Sequence, residues 1–288
     1  MKLKTALRLG RVSNLPTVLT NSIAGVALAG GAIAAGPLGL LVIAVGLAYT
    51  AGMFLNDAFD AEMDARNQRF RPIPAGEVTQ KAVFGWGFAM LGASVVLLAA
   101  AGLWTGHGWW SGLVGLALAL VIVGYNWRHK ENPFGPALMG MCRVLVYIAA
   151  GVALAGALPQ PLWIGAALLM AHVMGLTYVA KREGAGAVGQ VWPFICLALP
   201  LAYGLYAGIA NPIVLPFVAA LAVADAVAVR LCLRKGPGDI GRAIPLLIAA
   251  ISLLDAMFVA MQGETVLAVI VALGFPLTLQ LQRWVRGT

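Results

Sequence analysis

The stretch NDAFDAEMDARNQRFRPIPAG, residues 56–76, places a dense group of charges at the end of a long apolar run. Four of the eleven acidic residues in this 288-residue chain lie within eight positions of it. Three arginines and two prolines follow before Gly76. In a chain with so few charges, this concentration predicts a functional site rather than an ordinary loop.

The composition is that of a membrane protein. Hydrophobic residues make up 61% of the chain and charged residues 10%, against about 25% charged residues in soluble domains. The net charge of +8 does not indicate nucleic-acid binding, because the cations are scattered singly between apolar runs, as in cytosolic membrane loops. The three cysteines lack CxxC or Cys/His spacing, which argues against a disulfide framework or a zinc site.

Ten apolar runs have the length of a membrane-spanning helix, roughly 18 to 25 residues. They predict helices near 14–36, 38–60, 78–103, 109–127, 135–157, 161–182, 190–209, 212–234, 241–262 and 265–284. The first run could instead be a cleaved signal peptide, but it is too long for a signal core and contains Asn14, Pro16 and Asn21. Because no long linker separates the runs, residues 1–288 are predicted to form one all-α membrane domain.

The distribution of lysine and arginine predicts the orientation. With a cytosolic N-terminus, nearly every cation falls in a cytosolic segment, and only Arg143 lies within a helix, on its cytosolic half. The opposite loops, near residues 36, 105, 158, 210 and 263, contain no lysine or arginine. The positive-inside rule therefore places residues 56–76 at the cytosolic surface.

The acidic residues have a helical spacing that predicts a metal site. On a continuous helix, at about 100° per residue, Asn56, Asp60 and Asp64 fall at roughly 0°, 40° and 80°, and Asp57 falls at about 100°. Carboxylates on one arc repel one another and require a cation. Mg²⁺ fits, because it takes one or two carboxylates and completes its shell with water and substrate phosphates. The alternative is a solvated helix end whose carboxylates pair with nearby arginines.

The segment RPIPAG, residues 71–76, predicts an extended and stiff loop, because Pro72 and Pro74 restrict the backbone. Such a loop can hold Arg71 over a phosphate, which a planar guanidinium binds through paired donors. A magnesium site beside this arginine therefore predicts a phosphorylated ligand.

The pattern NDxxDxxxD beginning at Asn56, followed by RPIPxG beginning at Arg71, resembles the first signature of the UbiA superfamily of intramembrane prenyltransferases. The resemblance extends over the whole chain, since the helix spacing and the membrane side also agree. It implies nine or ten transmembrane helices around a central cavity open to the cytosol. It also implies Mg²⁺-dependent transfer of a prenyl group from a prenyl diphosphate to a lipophilic, aromatic acceptor in the membrane.

The second acidic signature of the family would fall at residues 178–189, and here the sequence departs from it. Tyr178 and Lys181 match its beginning, but arginine, alanine and glycine occupy the positions of the expected aspartates. Either Lys181 and Arg182 replace the charge of a second metal ion, or the protein has drifted from catalysis. Among family branches, this degenerate signature is most similar to the UbiA-like proteins encoded in ebo-type clusters.

The resemblance implies roles for residues at the cytosolic mouth. The implied catalytic residues are Asp60, Asp64, Tyr178 and Lys181. The implied Mg²⁺ ligands are Asn56, Asp57, Asp60, Asp64 and Glu183. The residues expected to bind substrate are Arg11, Asn14, Asn56, Arg71, Arg143, Lys181 and Arg182. For Arg11, Asn14 and Arg143, the alternatives are helix capping and snorkelling.

An allylic carbocation requires π-faces rather than water around it. Five aromatic residues are candidates, with ordinary packing as the alternative: Phe54, Phe59, Tyr125, Tyr147 and Tyr178. Asp225 and Asp255 lie inside predicted helices and are candidate functional residues, because buried carboxylates are costly in a bilayer. Either could instead pair with Arg230 or with a cation of another helix, or be protonated. His172 is expected to be a hydrogen-bonded interior residue.

Two other functional classes stay open. Intramembrane charges are also typical of transporters, although a carrier site is expected near the membrane midplane. A protein of this fold could also bind prenyl lipid without turnover. The expected partners are a prenyl diphosphate, a small lipophilic acceptor and membrane lipid, with no nucleic acid and no obligate protein partner.

Overall fold

The computed structural model describes residues 1–128, 132–183, 188–234 and 236–285, and every regular element in these ranges is helical. The α-helices are α1 (Leu3–Leu9), α2 (Leu15–Leu28), α3 (Ala35–Phe59), α4 (Ala61–Asn67), α5 (Gln80–Trp104), α6 (Trp110–Arg128), α7 (Gly135–Ala150), α8 (Gln160–Lys181), α9 (Trp192–Ala210), α10 (Leu215–Arg234), α11 (Asp239–Met261), α12 (Thr265–Ala272) and α13 (Gly274–Gln282). Short 3₁₀ turns precede α2 and α10, and a π-helical turn, Gly151–Ala155, ends α7.

Nine helical segments in the described ranges are long and apolar enough to span a membrane, from α3 to the α12–α13 pair. The first predicted helix, 14–36, corresponds to α2, which has 14 residues and a length of about 21 Å. Twelve of those 14 residues are buried. Because protein rather than lipid surrounds α2, its apolar length need not match a bilayer core of about 30 Å. The membrane-bundle prediction is confirmed, with a short central helix in place of the first full-length span.

The chain around α2 nevertheless joins the two ends of the bundle. Before α2, Arg11 donates a hydrogen bond of 3.1 Å to Asn56 at the end of α3. After α2, Gly31 packs against Leu154 and Ala155 at the end of α7. α2 therefore runs through the centre of the bundle.

The core has two main parts, and α2 contributes to both. Val18 and Val26 pack with side chains of α3, α5, α6 and α7. Ile23 and Leu28 pack with side chains of α7, α8, α10 and α11. Like α2, α11 is buried along most of its length. These two helices hold the two halves of the bundle together.

Close packing of α2 on α7 depends on Gly25. A Cβ atom at this position would lie 2.8 Å from Ala150 Cβ and 3.0 Å from Tyr147 Cα. Small residues of this kind let membrane helices approach closely.

The polar helix ends meet at one end of the bundle. In addition to the Arg11–Asn56 bond, Asn14 accepts a hydrogen bond of 3.0 Å from Gln282 at the end of α13. Glu183, just after α8, lies against the first turn of α11. The two signature regions thus share one end of the bundle.

Candidate functional site

The helix that carries the first acidic residues breaks at Asp60. α3 ends at Phe59, α4 begins at Ala61, and Asp60 between them has φ −86° and ψ −2°, away from the ideal helical ψ. The end of α3 agrees with the predicted helix 38–60, and the arc calculated for residues 56–64 crosses this one-residue interruption. Backbone hydrogen bonds continue across it, from Asp60 N to Asn56 O at 3.0 Å and from Asp64 N to Asp60 O at 2.8 Å.

The four predicted ligands do not all line one cavity. Asn56 and Asp60 line a cavity in the centre of the bundle. Asp57 lines a second pocket outside that cavity, and Asp64 is buried beneath the loop, 2% exposed. The central cavity is called the polar cavity here, and the second one the outer pocket.

The polar cavity has a volume of about 300 Å³ and lies between α2, α3, α7, α8 and α11. Its mouth is polar, and its interior is aliphatic. The mouth residues are Arg11, Asn14, Asn56, Asp60, Gln68, Arg71 and Glu183. The interior residues include Val173, Leu176, Ile244, Ile248 and Ile251.

An apolar pocket of about 80 Å³ continues from the polar cavity between α3, α6 and α7. The two share five lining residues, Tyr49, Met53, Tyr125, Met139 and Arg143. The remaining residues of this apolar branch include Val18, Val45, Leu118, Ile122 and Val146. A polar mouth leading to an apolar interior suits a ligand with a charged head and a hydrocarbon tail.

Arg11 lies at the mouth in a strained backbone conformation. Among the described non-glycine residues it is the one with positive φ, 43°. Its guanidinium donates to Asn56 Oδ1 at 3.1 Å and to Asp57 Oδ1 at 3.3 Å. Left-handed backbone is rare for such a residue and tends to occur at functional sites. The helix-capping alternative is not what the structure shows, since these contacts hold Arg11 across the mouth.

Arg71 lies beside Arg11, since both contact Asp57 Oδ1, and it contacts the acids that do not line the polar cavity. Its Nη1 donates to Asp57 Oδ1 at 2.7 Å, and its Nε lies 3.5 Å from Asp64 Oδ2. Nε also donates to Gln68 Oε1 at 2.8 Å. Asp57 and Asp64 thus hold Arg71, while Asn56 and Asp60 line the cavity.

The UbiA prenyltransferase family model matches residues 18–242, which include the mouth at Asn56 and Asp60 and the interior of the polar cavity up to the start of α11. The chain belongs to the UbiA prenyltransferase family.

Relatives of this UbiA-family chain include digeranylgeranylglyceryl phosphate synthases of archaea. The Pyrococcus horikoshii protein is 34% identical over 97 residues, 33% of this chain and 32% of that one. The Methanopyrus kandleri protein is 27% identical over 230 residues, 77% of each. The chain thus spans about a third of the first relative and about three quarters of the second.

Solved structures share the fold. A UbiA homologue from Aeropyrum pernix K1 has a TM-score of 0.69 at 15% identity, covering 90% of this chain and 98% of that one. A UbiA homologue from Archaeoglobus fulgidus bound to DMAPP and Mg²⁺ has a TM-score of 0.51 at 15% identity, covering 91% and 99%. At this identity, both likenesses concern the fold.

The region of the second UbiA signature is only partly directed at the polar cavity. Glu183 lines the cavity, whereas Lys181 Nζ donates to Asn132 O at 2.7 Å in the connection between α6 and α7. Arg182 donates to Tyr178 Oη at 2.9 Å, and its guanidinium lies 5.2 Å from that ring. Tyr178 in turn packs on Trp192 at 4.7 Å. In this arrangement, Lys181, Arg182 and Tyr178 do not line the cavity.

Arg143 is held inside the bundle rather than snorkelling to its surface. Its Nη1 donates to Asn21 Oδ1 at 2.5 Å, and its Nη2 donates to Thr17 Oγ1 at 3.0 Å. Asn21 Nδ2 donates to both oxygens of Asp255, at 2.8 and 2.9 Å. Tyr147 Oη donates to Asp255 Oδ1 at 2.5 Å. Asp255, a candidate functional residue with pairing to a cation of another helix as one alternative, is thus linked to Arg143 through Asn21.

Asp225 pairs with His172 rather than with Arg230. Asp225 Oδ2 lies 3.9 Å from His172 Nδ1, and His172 Nε2 lies 3.2 Å from Leu247 O. His172 is fully buried and Asp225 is 3% exposed. His172 is the hydrogen-bonded interior residue expected, and this pair does not line the polar cavity.

The predicted aromatic candidates lie in different parts of the structure. Tyr125 lines both the polar cavity and the apolar branch. Tyr147 is fully buried, and Phe54 lies in a separate small cluster with Leu9. Phe59 packs edge-on against Phe84 with centroids 5.0 Å apart. For Phe54, Phe59 and Tyr147, the packing alternative fits the described geometry.

Two polar residues of this region are not predicted from the sequence. Asn126 accepts a hydrogen bond of 3.1 Å from Asn56 Nδ2 and donates to Gly52 O, so it fixes the Asn56 side chain. Tyr49 lines both parts of the cavity and lies 5.9 Å beneath the Arg143 guanidinium. Asn126 could have been found as a polar residue inside a predicted membrane helix.

The oxygen donors at the mouth fit a shared Mg²⁺ shell. In the described ranges, no group of three or more His, Cys, Asp or Glu side chains could hold a metal ion. Asn56 and Asp60 nevertheless line the cavity, and Mg²⁺ takes one or two carboxylates with substrate phosphates. This donor set fits an ion held jointly with a phosphorylated ligand.

Glu77 fastens α1 to the loop that carries Arg71. Its carboxylate accepts from Thr5 Oγ1 at 2.7 Å and from Arg8 Nη1 at 2.6 Å. These bonds, first that of Thr5 and then that of Arg8, hold the pKa of Glu77 below its usual range. Arg8 also donates to Phe70 O at 2.8 Å, so the segment before Arg11 is tied to the mouth.

Proposed function

We propose that this protein transfers a prenyl group from an allylic prenyl diphosphate to a lipophilic acceptor inside the membrane. The observation that carries the proposal is the polar mouth, with Asn56, Asp60, Arg11 and Arg71, opening directly into an apolar branch. Its polarity matches a diphosphate head and a hydrocarbon tail. Membership of the prenyltransferase family supports the same activity.

The arginines of the mouth support binding of the diphosphate. Arg11 and Arg71 line the polar cavity, and each side chain is 18% exposed. Guanidinium groups bind phosphate oxygens through paired donors, and fixed cations stabilise charge that develops on a leaving group. Mg²⁺, held by Asn56 and Asp60 together with the substrate phosphates, would supply further positive charge to the departing diphosphate. The solved relative bound to DMAPP and Mg²⁺ supports this use of the metal.

The reaction requires that water be kept from the allylic carbon. The C1–O bond of the prenyl diphosphate breaks, and its electron pair leaves on the diphosphate. The nucleophilic atom of the acceptor forms a bond to C1 and loses a proton. Aliphatic side chains wall the interior of the cavity, and the Tyr125 ring supplies a π-face where the polar and apolar parts meet.

The acceptor is proposed to be an aromatic or other lipophilic molecule that enters from the membrane. Relatives named for digeranylgeranylglyceryl phosphate make a glyceryl phosphate lipid a second acceptor class. The positive-inside pattern supports a mouth that faces the cytosol.

A second candidate function is binding of prenyl lipid without turnover. It is favoured by one observation, that Lys181 and Arg182 contact Asn132 and Tyr178 instead of lining the cavity. The two functions differ in whether diphosphate is released.

Diphosphate release by the purified full-length chain tests the proposal. Geranyl and geranylgeranyl diphosphate should release diphosphate with Mg²⁺ and lipophilic acceptors, and Asp60→Asn should abolish release. Glu62→Gln, at an exposed position on α4, is the matched control and should retain it. Tight binding without release from any substrate would favour the binding function.

A further inference from the structure

The side chains of Arg143, Asn21 and Asp255 form a buried chain of hydrogen bonds with one cation and one carboxylate. The proposed reaction does not use it. This chain connects α7, α2 and α11 through bonds of 2.5 Å and 2.8 Å. Asn21 and Asp255 are fully buried, whereas Arg143 lines both the polar cavity and the apolar branch. One end of this chain therefore faces ligand, and the other end is closed off in the protein.

Arg143 lies deeper in the bundle than the residues of the mouth. It contacts α2 at Thr17 and Asn21, which follow Asn14 by three and seven residues. At 1.5 Å per residue these positions lie roughly 5 and 10 Å deeper than Asn14. Tyr49, beneath the guanidinium, reaches from this level to the mouth, where its hydroxyl donates to Arg11 O at 3.4 Å. Arg143 thus lies inward of the mouth, in the wall that the polar cavity and the apolar branch share.

The hydrogen bonds around Asp255 fit an ionised carboxylate that compensates the charge of Arg143. Asp255 receives donors from Asn21 and Tyr147, as an ionised carboxylate does. Asn21 accepts from the guanidinium and donates to the carboxylate, so its amide is aligned between opposite charges. Arg143 and Asp255 together carry no net charge.

The absence of net charge on the Arg143–Asp255 pair has two consequences for the cavity. An uncompensated guanidinium near C1 would repel a developing allylic cation, because charges interact strongly in a medium of low dielectric constant. It would also attract anions into the apolar part of the cavity. A compensated guanidinium instead donates hydrogen bonds to a neutral oxygen.

We propose that Arg143 binds a neutral oxygen of the acceptor, a hydroxyl or carbonyl group; this rests on the proposed function. Asp255, acting through Asn21, is the positioning residue that makes this site neutral. The acceptor oxygen lies where the polar cavity meets the apolar branch, within reach of the prenyl carbon. Any anionic group of an acceptor lies elsewhere, toward the mouth.

Ligand selectivity tests this assignment without requiring turnover. Two aromatic probes of equal size, 4-propylbenzamide and 4-propylbenzoate, differ in that the first is neutral and the second is an anion. Dissociation constants of both are measured by calorimetry on the purified full-length chain. The wild-type protein should prefer the amide, and Asp255→Asn should shift the ratio of the two constants toward the benzoate by about tenfold or more.

Asp225→Asn is the matched control. Asp225 is a second buried carboxylate, but it pairs with His172 outside the cavity, so its replacement should leave the ratio at the wild-type value. A general loss of stability would affect both variants, whereas the ratio of the two dissociation constants should change in Asp255→Asn alone. An unchanged ratio in Asp255→Asn, or an equal shift in Asp225→Asn, overturns the proposal.

A second variant covers the case in which Asp255→Asn does not fold. Arg143→Gln combined with Asp255→Asn removes both charges and keeps polar groups at both positions. It should bind the amide about tenfold more weakly, because the guanidinium donors are lost. Wild-type amide affinity in this double variant also overturns the proposal. If no acceptor supports diphosphate release, the proposed function is refuted. The proposal for Arg143 is not, since the probe ratio is measured without turnover.

Discussion

Arg71 Nη1 lies 2.7 Å from Asp57 Oδ1, and this ion pair separates the polar cavity from the outer pocket. Arg71 lines both cavities, whereas Asp57 lines the outer one. The carboxylates Asp57 and Asp64 thus hold an arginine in place, whereas Asn56 and Asp60 line the polar cavity.

The first prediction concerns the geometry of Arg71. Arg71→Lys keeps the charge but removes the planar fork that contacts Asp57 and Gln68 while facing the cavity. We expect the KM for prenyl diphosphate to rise about tenfold, since loss of paired donors to phosphate costs about 1–2 kcal/mol. Steady-state kinetics at fixed Mg²⁺ measures the change. Arg69→Lys, at an exposed position, is the control, and an equal KM in both variants would refute the role of Arg71.

The second prediction concerns pH and Glu77. Because its pKa is lowered in the folded protein, its contribution to stability is present above the unfolded value of about 4.5 and is lost as the pH falls through the folded value. The difference in melting temperature between wild type and Glu77→Gln should therefore be present at neutral pH and disappear in acid. Thermal unfolding in detergent at a series of pH values measures it. A difference that persists unchanged in acid would exclude the contacts with Thr5 and Arg8 as its source.

The third prediction concerns the contact between α2 and α7. Gly25→Val places side-chain atoms where a Cβ would already lie 2.8 Å from Ala150 Cβ. We expect a loss of about 1–3 kcal/mol in the free energy of unfolding, typical of overpacking. Gly39→Ala in α3 is the control, since a Cβ there meets no atom within 4 Å. Unfolding titrations in sodium dodecyl sulfate compare the two, and equal stability would argue against a close α2–α7 contact.

The fourth prediction concerns the His172–Asp225 pair. His172→Leu removes the hydrogen bond to Leu247 O and the neighbour of a buried carboxylate, and the free energy of unfolding should fall by about 1–3 kcal/mol. Replacing both residues with leucine should restore most of the loss, because no buried charge is left. The same detergent titrations measure both variants. If the double variant is as unstable as the single one, the cost does not come from the unpaired carboxylate.

Much of the fold could be predicted from the sequence. The apolar runs locate the spanning helices, because each must satisfy its backbone within the bilayer. The short length of α2 could not be predicted in this way, since it depends on enclosure by protein on nearly all sides. Hydrophobicity alone does not distinguish contact with lipid from contact with other helices.

The site was predicted in part. Asn56, Asp60, Arg71 and Glu183 line one cavity, as their helix ends indicated. Asp57 and Asp64 contact Arg71 instead, at 2.7 and 3.5 Å, a pairing that the residue spacing does not show. The link from Arg143 to Asp255 joins residues 112 positions apart through a third helix, and only tertiary packing determines it. The directions of Lys181 and Arg182 also depend on neighbours outside their own helix.

Binding of a non-reactive substrate analogue tests the central claim most directly. Geranyl thiolodiphosphate keeps the charged head and the apolar tail but resists cleavage, so its dissociation constant reports the mouth alone. We expect Mg²⁺ to tighten its binding to the wild-type protein, and we expect Asp60→Asn to remove most of the Mg²⁺ effect while Glu62→Gln preserves it. Binding that is independent of Mg²⁺, or a Mg²⁺ effect of equal size in Asp60→Asn, would contradict a diphosphate site at Asn56 and Asp60.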